Sequence, residues 1–297
     1  MLGPKLALLL PATALLVACG SNPAAQPRQT ISGIEVDWIP VEPDVSLYVE
    51  RAGSGPTVIL IEGAQMDLRQ WDDTFAALTQ DFDVIRYDVR GFGRSDWADH
   101  PYQHHVDLWT LMEALDVESA HLVGLSLGGR IAIDLALEAP QRVRSLVLSG
   151  PGLSGFRFDT DSFAAITEAR NSNEPHRVSE AWLRHGYLAP AMENAALAPR
   201  LEMLALDNAA TWLRSDPEQA LSPPAIVRLE ELSVPTLLLV GERDEPDIHS
   251  IAEMLEAGIE ALTRVDAPNA GHLLPMERPA WFQTQTAEFL RGIEAGS

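Results

Sequence analysis

The sequence predicts an α/β fold in which a mostly parallel, doubly wound sheet carries a helical cap insertion. Apolar strand-like runs alternate with helical stretches over residues 32–151 and again over residues 232–297. The alternation stops in residues 152–231, which contain helical stretches and no convincing strand. Alternating strands and helices are typical of a parallel sheet with right-handed crossovers. We therefore predict a core formed by the two outer segments and a helical cap formed by the middle one.

The first half of the core is predicted to open with a hairpin and to continue into parallel strands. Residues 34–39 and 45–51 have the pattern of two hairpin strands. Residues 56–61 form a continuous apolar run, which is typical of a strand buried on both faces. The elements predicted next are helix 68–78, strand 82–87, helix 102–115, strand 120–124, helix 127–137 and strand 143–149.

The cap and the second half of the core follow the same reasoning. Periodic apolar residues predict cap helices at 179–187 and 199–213. The core then resumes with strand 236–240, helix 248–257, strand 261–265 and a closing helix at 279–293.

Composition excludes several classes of function. The hydrophobic fraction is 46% and the charged fraction 22%, as in an ordinary globular protein. The formal net charge of −22 argues against a nucleic-acid partner, which would need clustered Lys and Arg. The single cysteine cannot form a thiolate metal cluster. No nucleotide-binding loop is visible, so we expect neither a metal nor a cofactor, and the oligomeric state stays open.

The N-terminus has the pattern of a targeting segment. A charged start precedes an apolar run that ends near residue 17, as in a secretory signal peptide. The run closes on Leu16, Val17, Ala18 and Cys19, which resembles the lipobox of bacterial lipoproteins. The resemblance implies a signal peptide at 1–18, a lipidated Cys19 and a polar tether at 19–31. The protein would then be anchored in the cell envelope, at the outer membrane or periplasmic face of a Gram-negative cell; the alternative is an ordinary cleavable signal.

A G-x-S-x-G motif at residues 124–128 identifies a candidate nucleophile, Ser126. The motif lies between a predicted strand and a predicted helix, the context in which it forms a strained nucleophile elbow. Glycines on both sides are expected because side chains there would collide with the neighbouring strand and helix. The turn would expose the hydroxyl at a helix N-terminus, and the N–H of Leu127 would help to stabilise a developing oxyanion.

Serine needs a base, and His272 is the candidate among eight histidines. It lies in the loop between the last predicted strand and the last predicted helix, at the carboxyl edge of the sheet where sites of open α/β folds gather. The other seven histidines are expected to be surface or capping residues.

Asp244 is the candidate carboxylate that fixes the tautomer of the histidine. It follows the apolar run 237–240, and Glu242, Glu245 and Asp247 are alternatives in the same loop. The other place for such an acid, after strand 143–149, holds no carboxylate.

At this point the chain resembles the α/β-hydrolase fold family, in its capped, esterase- and peroxidase-like branch, over residues 32–295. The resemblance rests on four motifs in the family's order: residues 124–129, the D-x-R-G-x-G-x-S loop within residues 87–96, residues 241–244, and Gly271-His272. It implies that the N–H of Ala64 is the second oxyanion donor. It also implies that Gln65, Met66 and Leu125 contact the substrate.

One position departs from the family pattern. The family usually has His-Gly in the oxyanion loop, whereas this chain has Glu62-Gly63. A carboxylate aimed at the oxyanion would oppose its formation, so Glu62 is expected to point away and to bond neighbouring backbone or an arginine. The alternative is that Glu62 selects a cationic or amine substrate.

The leading functional hypothesis is a serine hydrolase that cleaves an ester, lactone or related small acyl substrate through an acyl-serine intermediate. An aminopeptidase, a carbon–carbon bond hydrolase or a perhydrolase could use the same triad, and a non-catalytic ligand-binding protein of the envelope is the non-enzyme alternative. Aromatic and Met side chains of the cap would cover the pocket or form the cap's own core: Phe156, Phe158, Trp182, Tyr187, Met192, Met203 and Trp212.

Overall fold

The computed structural model describes residues 29–31, 33–214 and 217–296. The predicted signal peptide and Cys19 lie outside these residues. Within them, no helix is both long enough and apolar enough to cross a bilayer.

A nine-stranded sheet, in the order β1-β2-β3-β5-β4-β6-β7-β8-β9, organises the molecule. Three pairings at one side, from β1 through β3 to β5, are antiparallel, and the pairings from β5 to β9 are parallel. The predicted mostly parallel α/β fold is confirmed. The strands are β1 (Gln29–Ile31), β2 (Ile34–Glu42), β3 (Val45–Gly53), β4 (Thr57–Ile61), β5 (Asp83–Tyr87), β6 (Ala120–Leu125), β7 (Val143–Ser149), β8 (Thr236–Gly241) and β9 (Leu262–Ala267).

Helices cover the sheet and fill the segment between β7 and β8. The core helices are α1 (Asp72–Leu78), α2 (His104–Ala114), α3 (Leu127–Glu138), α8 (Pro246–Gly258), α9 (Leu274–Glu277) and α10 (Pro279–Ala295). Those between β7 and β8 are α4 (Ala164–Asn171), α5 (Pro175–Leu183), α6 (Ala189–Met192) and α7 (Ala198–Asp207), with 3-10 turns at Ala209–Leu213, Ala225–Val227 and Leu229–Glu231.

The core lies between the parallel strands and the helices. Val58 to Ile61 of β4 are fully buried, as expected for a central strand covered on both faces. Trp71 and Phe282 bring the start of α1 and α10 together, with ring centroids 5.9 Å apart. Each of these two side chains is completely buried. Apolar burial on this scale is the main force that holds the sheet and helices together.

Several element boundaries differ from those that the sequence predicts. The predicted tether 19–31 is too long, because residues 29–31 pair with β2 around Gly33, whose φ of +83° suits a tight turn. Predicted helix 68–78 begins as a 3-10 turn that the Asp67 carboxylate caps by accepting from the Arg69 N–H. Predicted helix 179–187 is α5, which starts earlier at Pro175 and ends at Leu183.

Candidate active site

A sharp turn between β6 and α3 carries Ser126. The residue has φ 52° and ψ −112°, a conformation that side-chain-bearing residues rarely adopt. Its N–H donates to the Ser149 carbonyl at 3.1 Å, and its carbonyl accepts from Arg130 at 3.1 Å and Gly152 at 2.8 Å. These hydrogen bonds hold the strained turn, so the serine side chain stands at the N-terminus of α3.

The glycines around Ser126 are required by close backbone contacts. A methyl group on Gly124 would overlap the backbone of Gly128, and one on Gly128 would overlap the carbonyl of Ile61. A methyl group on Gly129 would lie 2.6 Å from the Cβ of Pro151. The expectation that side chains would collide here therefore matches the contacts of the turn.

Asp244 and His272 meet at the carboxyl ends of β8 and β9. The Nδ1 of His272 lies 3.0 Å from each carboxylate oxygen of Asp244. Both side chains are almost completely buried. A carboxylate at Nδ1 favours the tautomer that leaves Nε2 free to act as a base.

The three alternative carboxylates in the same loop have other environments. Glu242 accepts from the Asn269 N–H, and Asp247 accepts from the Asp159 N–H of the cap segment. Glu245 lies against Gly186, and burial raises its pKa, with Asp244 as a further cause. Among the described carboxylates, Asp244 is the one whose oxygens contact the His272 ring.

Gly150 connects the elbow to the Asp244–His272 pair. The preceding residue, Ser149, accepts the hydrogen bond from Ser126. A methyl group on Gly150 would lie 2.8 Å from Oδ2 of Asp244 and 3.0 Å from Nδ1 of His272. The backbone after β7 therefore contacts all three residues of the predicted triad.

Glu277 at the end of α9 fixes the loop that carries His272. Its carboxylate accepts from the N–H groups of Gly271 and Leu273, both at 2.9 Å, on either side of the histidine. Burial raises the pKa of Glu277, whereas these two hydrogen bonds lower it. The sequence signal was a glutamate five residues after His272, within reach of the loop backbone.

A cap residue, Tyr187, packs on the imidazole of His272. The two rings are stacked with centroids 4.3 Å apart and an interplanar angle of 26°. Tyr187 is itself surrounded by Trp182, Phe163 and His185. The cap therefore contacts the candidate base directly, through an aromatic cluster of its own.

The oxyanion loop follows β4 and places Ala64 and Leu127 at the same cavity. The Gly63 N–H is already used, because it donates to Oε1 of Gln70 at 3.2 Å. Leu127 is the first residue of α3, and first-turn N–H groups have no intrahelical acceptor. The structure thus places Ala64 and Leu127, the two predicted oxyanion donors, in the lining of one cavity next to the elbow.

Glu62 points away from this cavity. The side chain is fully buried, and its Oε1 accepts from the Val89 N–H at 2.6 Å. Burial raises the pKa of Glu62 well above its usual value, and the Asp88 carboxylate raises it further. Glu62 is therefore bonded to neighbouring backbone, as expected, and it does not line the cavity that a cationic substrate would enter.

The cavity beside the elbow has a volume of about 240 Å³. Gln65 also lines it, with a φ of 63° and a buried Oε1 that has no partner among the described residues. Met66 and Leu125, in contrast, are buried in the hydrophobic core with 1% exposure and do not line the cavity. Their predicted contact with substrate stays a prediction.

The predicted cap residues fall into different environments. Trp182 and Tyr187 are buried in the cap, Trp212 lines the cavity, and Met203 is 48% exposed. Four of the seven histidines expected at the surface are instead buried: His104, His105, His121 and His185. The two ring nitrogens of His121, for example, form hydrogen bonds with Ser145 and Glu294. A sequence pattern does not show such long-range partners.

One group of possible metal ligands exists among the described residues. Glu42, Asp44 and His100 each offer one ligand atom within 4.8 Å of the others. Exposed acidic groups of this kind are common without an ion, and the group does not include the residues around Ser126. We assign it no role in the chemistry.

Comparison with known proteins agrees with this architecture. A family profile described as "alpha/beta hydrolase fold" matches residues 56–279. Rhodomycin D methylesterase DauP of Streptomyces sp. (strain C5) is 28% identical, over 78% of this chain and 91% of its own. Carboxylesterase YbfK of Bacillus subtilis (strain 168) is 26% identical, over 80% of this chain and 81% of its own.

A solved structure supports the same assignment. The crystal structure of a hydrolase from Pseudomonas aeruginosa PA01 superposes with a TM-score of 0.72 and 27% identity. The match covers 86% of this chain and 98% of that one. Because the family profile spans most of the chain and the sheet, elbow and His–Asp pair occupy the expected places, the chain belongs to the α/β-hydrolase fold family.

Proposed function

We propose that the protein hydrolyses an ester or a related acyl compound through an acyl-serine intermediate, with Ser126, His272 and Asp244 as its triad. The observation that carries the proposal is the buried pair of His272 and Asp244, with Nδ1 3.0 Å from each carboxylate oxygen. The backbone of residues 149–150 contacts this pair and accepts a hydrogen bond from the strained turn of Ser126. Relatives that are named a methylesterase and a carboxylesterase support an ester as the substrate.

The proposed reaction has two halves. In the first, Nε2 of His272 takes the proton of the Ser126 hydroxyl while the serine oxygen attacks the carbonyl carbon. The N–H groups of Ala64 and Leu127 stabilise the oxyanion, and His272 then gives its proton to the departing alkoxide. In the second, water attacks the acyl-serine with His272 as base, which releases the acid and restores the hydroxyl.

A short activated ester tests the proposal. The wild-type protein is expected to release p-nitrophenol from p-nitrophenyl butyrate with a burst equal to the enzyme concentration. Ser126→Ala should lower kcat by about a thousandfold or more, because the remaining groups supply only binding and oxyanion stabilisation. Ser250→Ala, at a hydroxyl of α8 that bonds the Pro246 carbonyl, is the matched control and should behave as wild type.

The alternative functions would give different results in labelling and substrate assays. A fluorophosphonate that labels Ser126, located by mass spectrometry, separates an enzyme from a non-catalytic binding protein. An aminopeptidase would prefer aminoacyl-arylamides, a carbon–carbon hydrolase would prefer diketones, and a perhydrolase would need peroxide. A protein that is unlabelled and inert toward short and medium esters would contradict the proposal.

We further propose that the protein is a lipoprotein of the cell envelope, anchored through Cys19. The support is the lipobox-like sequence before the lone cysteine of the chain. Expressed with its own N-terminus in a Gram-negative host, the protein should appear in the membrane fraction and incorporate labelled palmitate. Cys19→Ser should abolish the label. A wild-type protein that is recovered unlabelled from the soluble periplasm would contradict the anchor.

A further inference from the structure

The charge of the cavity beside Ser126 is opposite to that of the molecule as a whole. The chain has a formal net charge of −22. Four arginines nevertheless line the cavity of about 240 Å³ that contains Ala64 and Leu127. The arginines are Arg90, Arg130, Arg170 and Arg214. Whether they favour an anionic ligand depends on which of them are already neutralised.

Two of the four arginines are held by carboxylates. Arg90 is buried and forms a two-pronged contact with Asp107, at 2.8 and 2.7 Å, with Glu42 also at 2.9 Å. Arg130 donates to both oxygens of Glu218 at 2.7 Å. Each of these two positive charges is matched by a neighbouring carboxylate, so neither arginine is the preferred site for an anionic ligand.

The other two arginines lie over aromatic rings. The guanidinium of Arg170 lies 5.8 Å from the Trp212 ring centre, and that of Arg214 lies 5.3 Å from the Trp97 ring centre. Among the residues that the structure describes, neither arginine forms an ion pair with a carboxylate. A cation–π contact with an indole helps to position each of these exposed guanidinium groups and leaves their N–H groups available to a planar anion.

We propose that the substrate carries a carboxylate, which Arg170 and Arg214 bind while its ester carbonyl lies against Ala64 and Leu127. This inference rests on the proposed function and specifies its substrate class: half-esters of short dicarboxylic acids. The cavity is smaller than the roughly 300–1,000 Å³ typical of pockets for drug-sized ligands, which favours a short acyl chain. Bidentate arginine–carboxylate contacts would supply the selectivity.

Two esters of matched length test the inference. We would compare kcat/KM for p-nitrophenyl hydrogen glutarate, which is anionic, with that for p-nitrophenyl pentanoate, which is neutral. The wild-type enzyme should prefer the anionic ester. In the double variant Arg170→Gln/Arg214→Gln, the ratio of the two kcat/KM values should fall about ten- to a hundredfold, the range for losing hydrogen bonds to a charged group.

Matched variants separate this role from general effects. Arg177→Gln removes an exposed arginine from α5 that pairs with Glu174 and does not line the cavity, so the ratio should stay at the wild-type value. The double variant with lysine at both positions should restore part of the preference, because it keeps the charge. A wild-type enzyme with no preference, or a preference that survives in the glutamine double variant, would overturn the inference.

A binding experiment distinguishes the absence of esterase activity from the absence of the anion site. If neither ester is hydrolysed, glutarate binding to the Ser126→Ala protein, measured by calorimetry, still decides the question. Binding that is lost in the glutamine double variant would support the anion site without the esterase activity. No glutarate binding to Ser126→Ala would overturn it.

Discussion

At the scale of single residues, the contact of Tyr187 with His272 is the most direct link between the cap and the chemistry. The stacked ring limits the orientations of the imidazole while Asp244 holds its Nδ1. Tyr187→Leu should lower kcat about two- to tenfold, the range for an aromatic pair. It should also broaden the low-field proton NMR resonance of the His272 Nδ1–H. Tyr187→Phe keeps the ring and should be close to wild type; an unchanged kcat in Tyr187→Leu would show that the stack does not position the base.

The buried Glu62 should make the stability of the protein depend on pH. Since burial raises its pKa, the folded state retains a proton that the unfolded state has lost, and stability falls as pH rises above the ordinary range of a carboxyl group. Glu62→Gln keeps an oxygen acceptor for the Val89 N–H and removes the ionisation. The gain in urea midpoint over wild type should therefore grow between pH 5 and pH 8.

The control for Glu62 is an exposed acid. Glu253→Gln on α8 should change the urea midpoint little, and by the same amount at both pH values. A Glu62→Gln protein whose advantage shrinks as pH rises would contradict the raised pKa of the buried Glu62.

At the scale of elements, the turn after β7 constrains the site because it contacts both Asp244 and His272. Gly150→Ala would place a methyl group against both Asp244 and His272, so kcat/KM should fall about a hundredfold, as for other misplacements of reacting groups by 1 Å. Gly33 also has a positive φ, but a methyl group added there would have no atom within 4 Å. Gly33→Ala is therefore the matched control. The Gly33→Ala variant should lower the free energy of unfolding by about 1–2 kcal/mol and leave kcat/KM unchanged. Equal kinetics in the two variants would contradict the role of Gly150.

The element scale also shows what the sequence could and could not predict. The elbow and the central strands are local patterns that the sequence shows directly. The structure has Ser126, Asp244 and His272 in the connections that follow β6, β8 and β9. Tyr187 was expected either to cover the pocket or to lie in the cap's own core, and its contact with His272 depends on how this segment packs. Arg214 was not identifiable as a neighbour of the site for the same reason. The burial of Met66 and Leu125 in the core also depends on packing that a motif does not encode. The exact start of α5 depends on Pro175, whose fixed φ suits a first helical turn.

At the scale of the whole molecule, the dominant property is the excess of acidic residues. Individual surface ion pairs such as Arg291–Asp81 contribute little each. Repulsion that arises from the net charge of −22 should therefore control how thermal stability responds to salt. At pH 8, raising NaCl from 10 to 200 mM should raise Tm by a few degrees, since about 1 kcal/mol corresponds to roughly 2–4 °C for a large domain.

A second pH provides the control for the salt prediction. The sequence pI is about 4.6, so at that pH the net charge vanishes and the same addition of salt should change Tm much less. Scanning calorimetry measures both. A Tm that falls with salt at pH 8 would show that the ion pairs outweigh the repulsion.

The adjacency of β7 and β8 has a consequence for how such proteins diverge. Parallel neighbours in a sheet require the chain to return from one end to the other, so a long connection is needed at this point in any case. In this chain that connection is the helical segment between β7 and β8, which is longer than a single crossover helix. Changes in the length or side chains of this connection need not alter the register of β7 and β8, because the paired residues lie outside it.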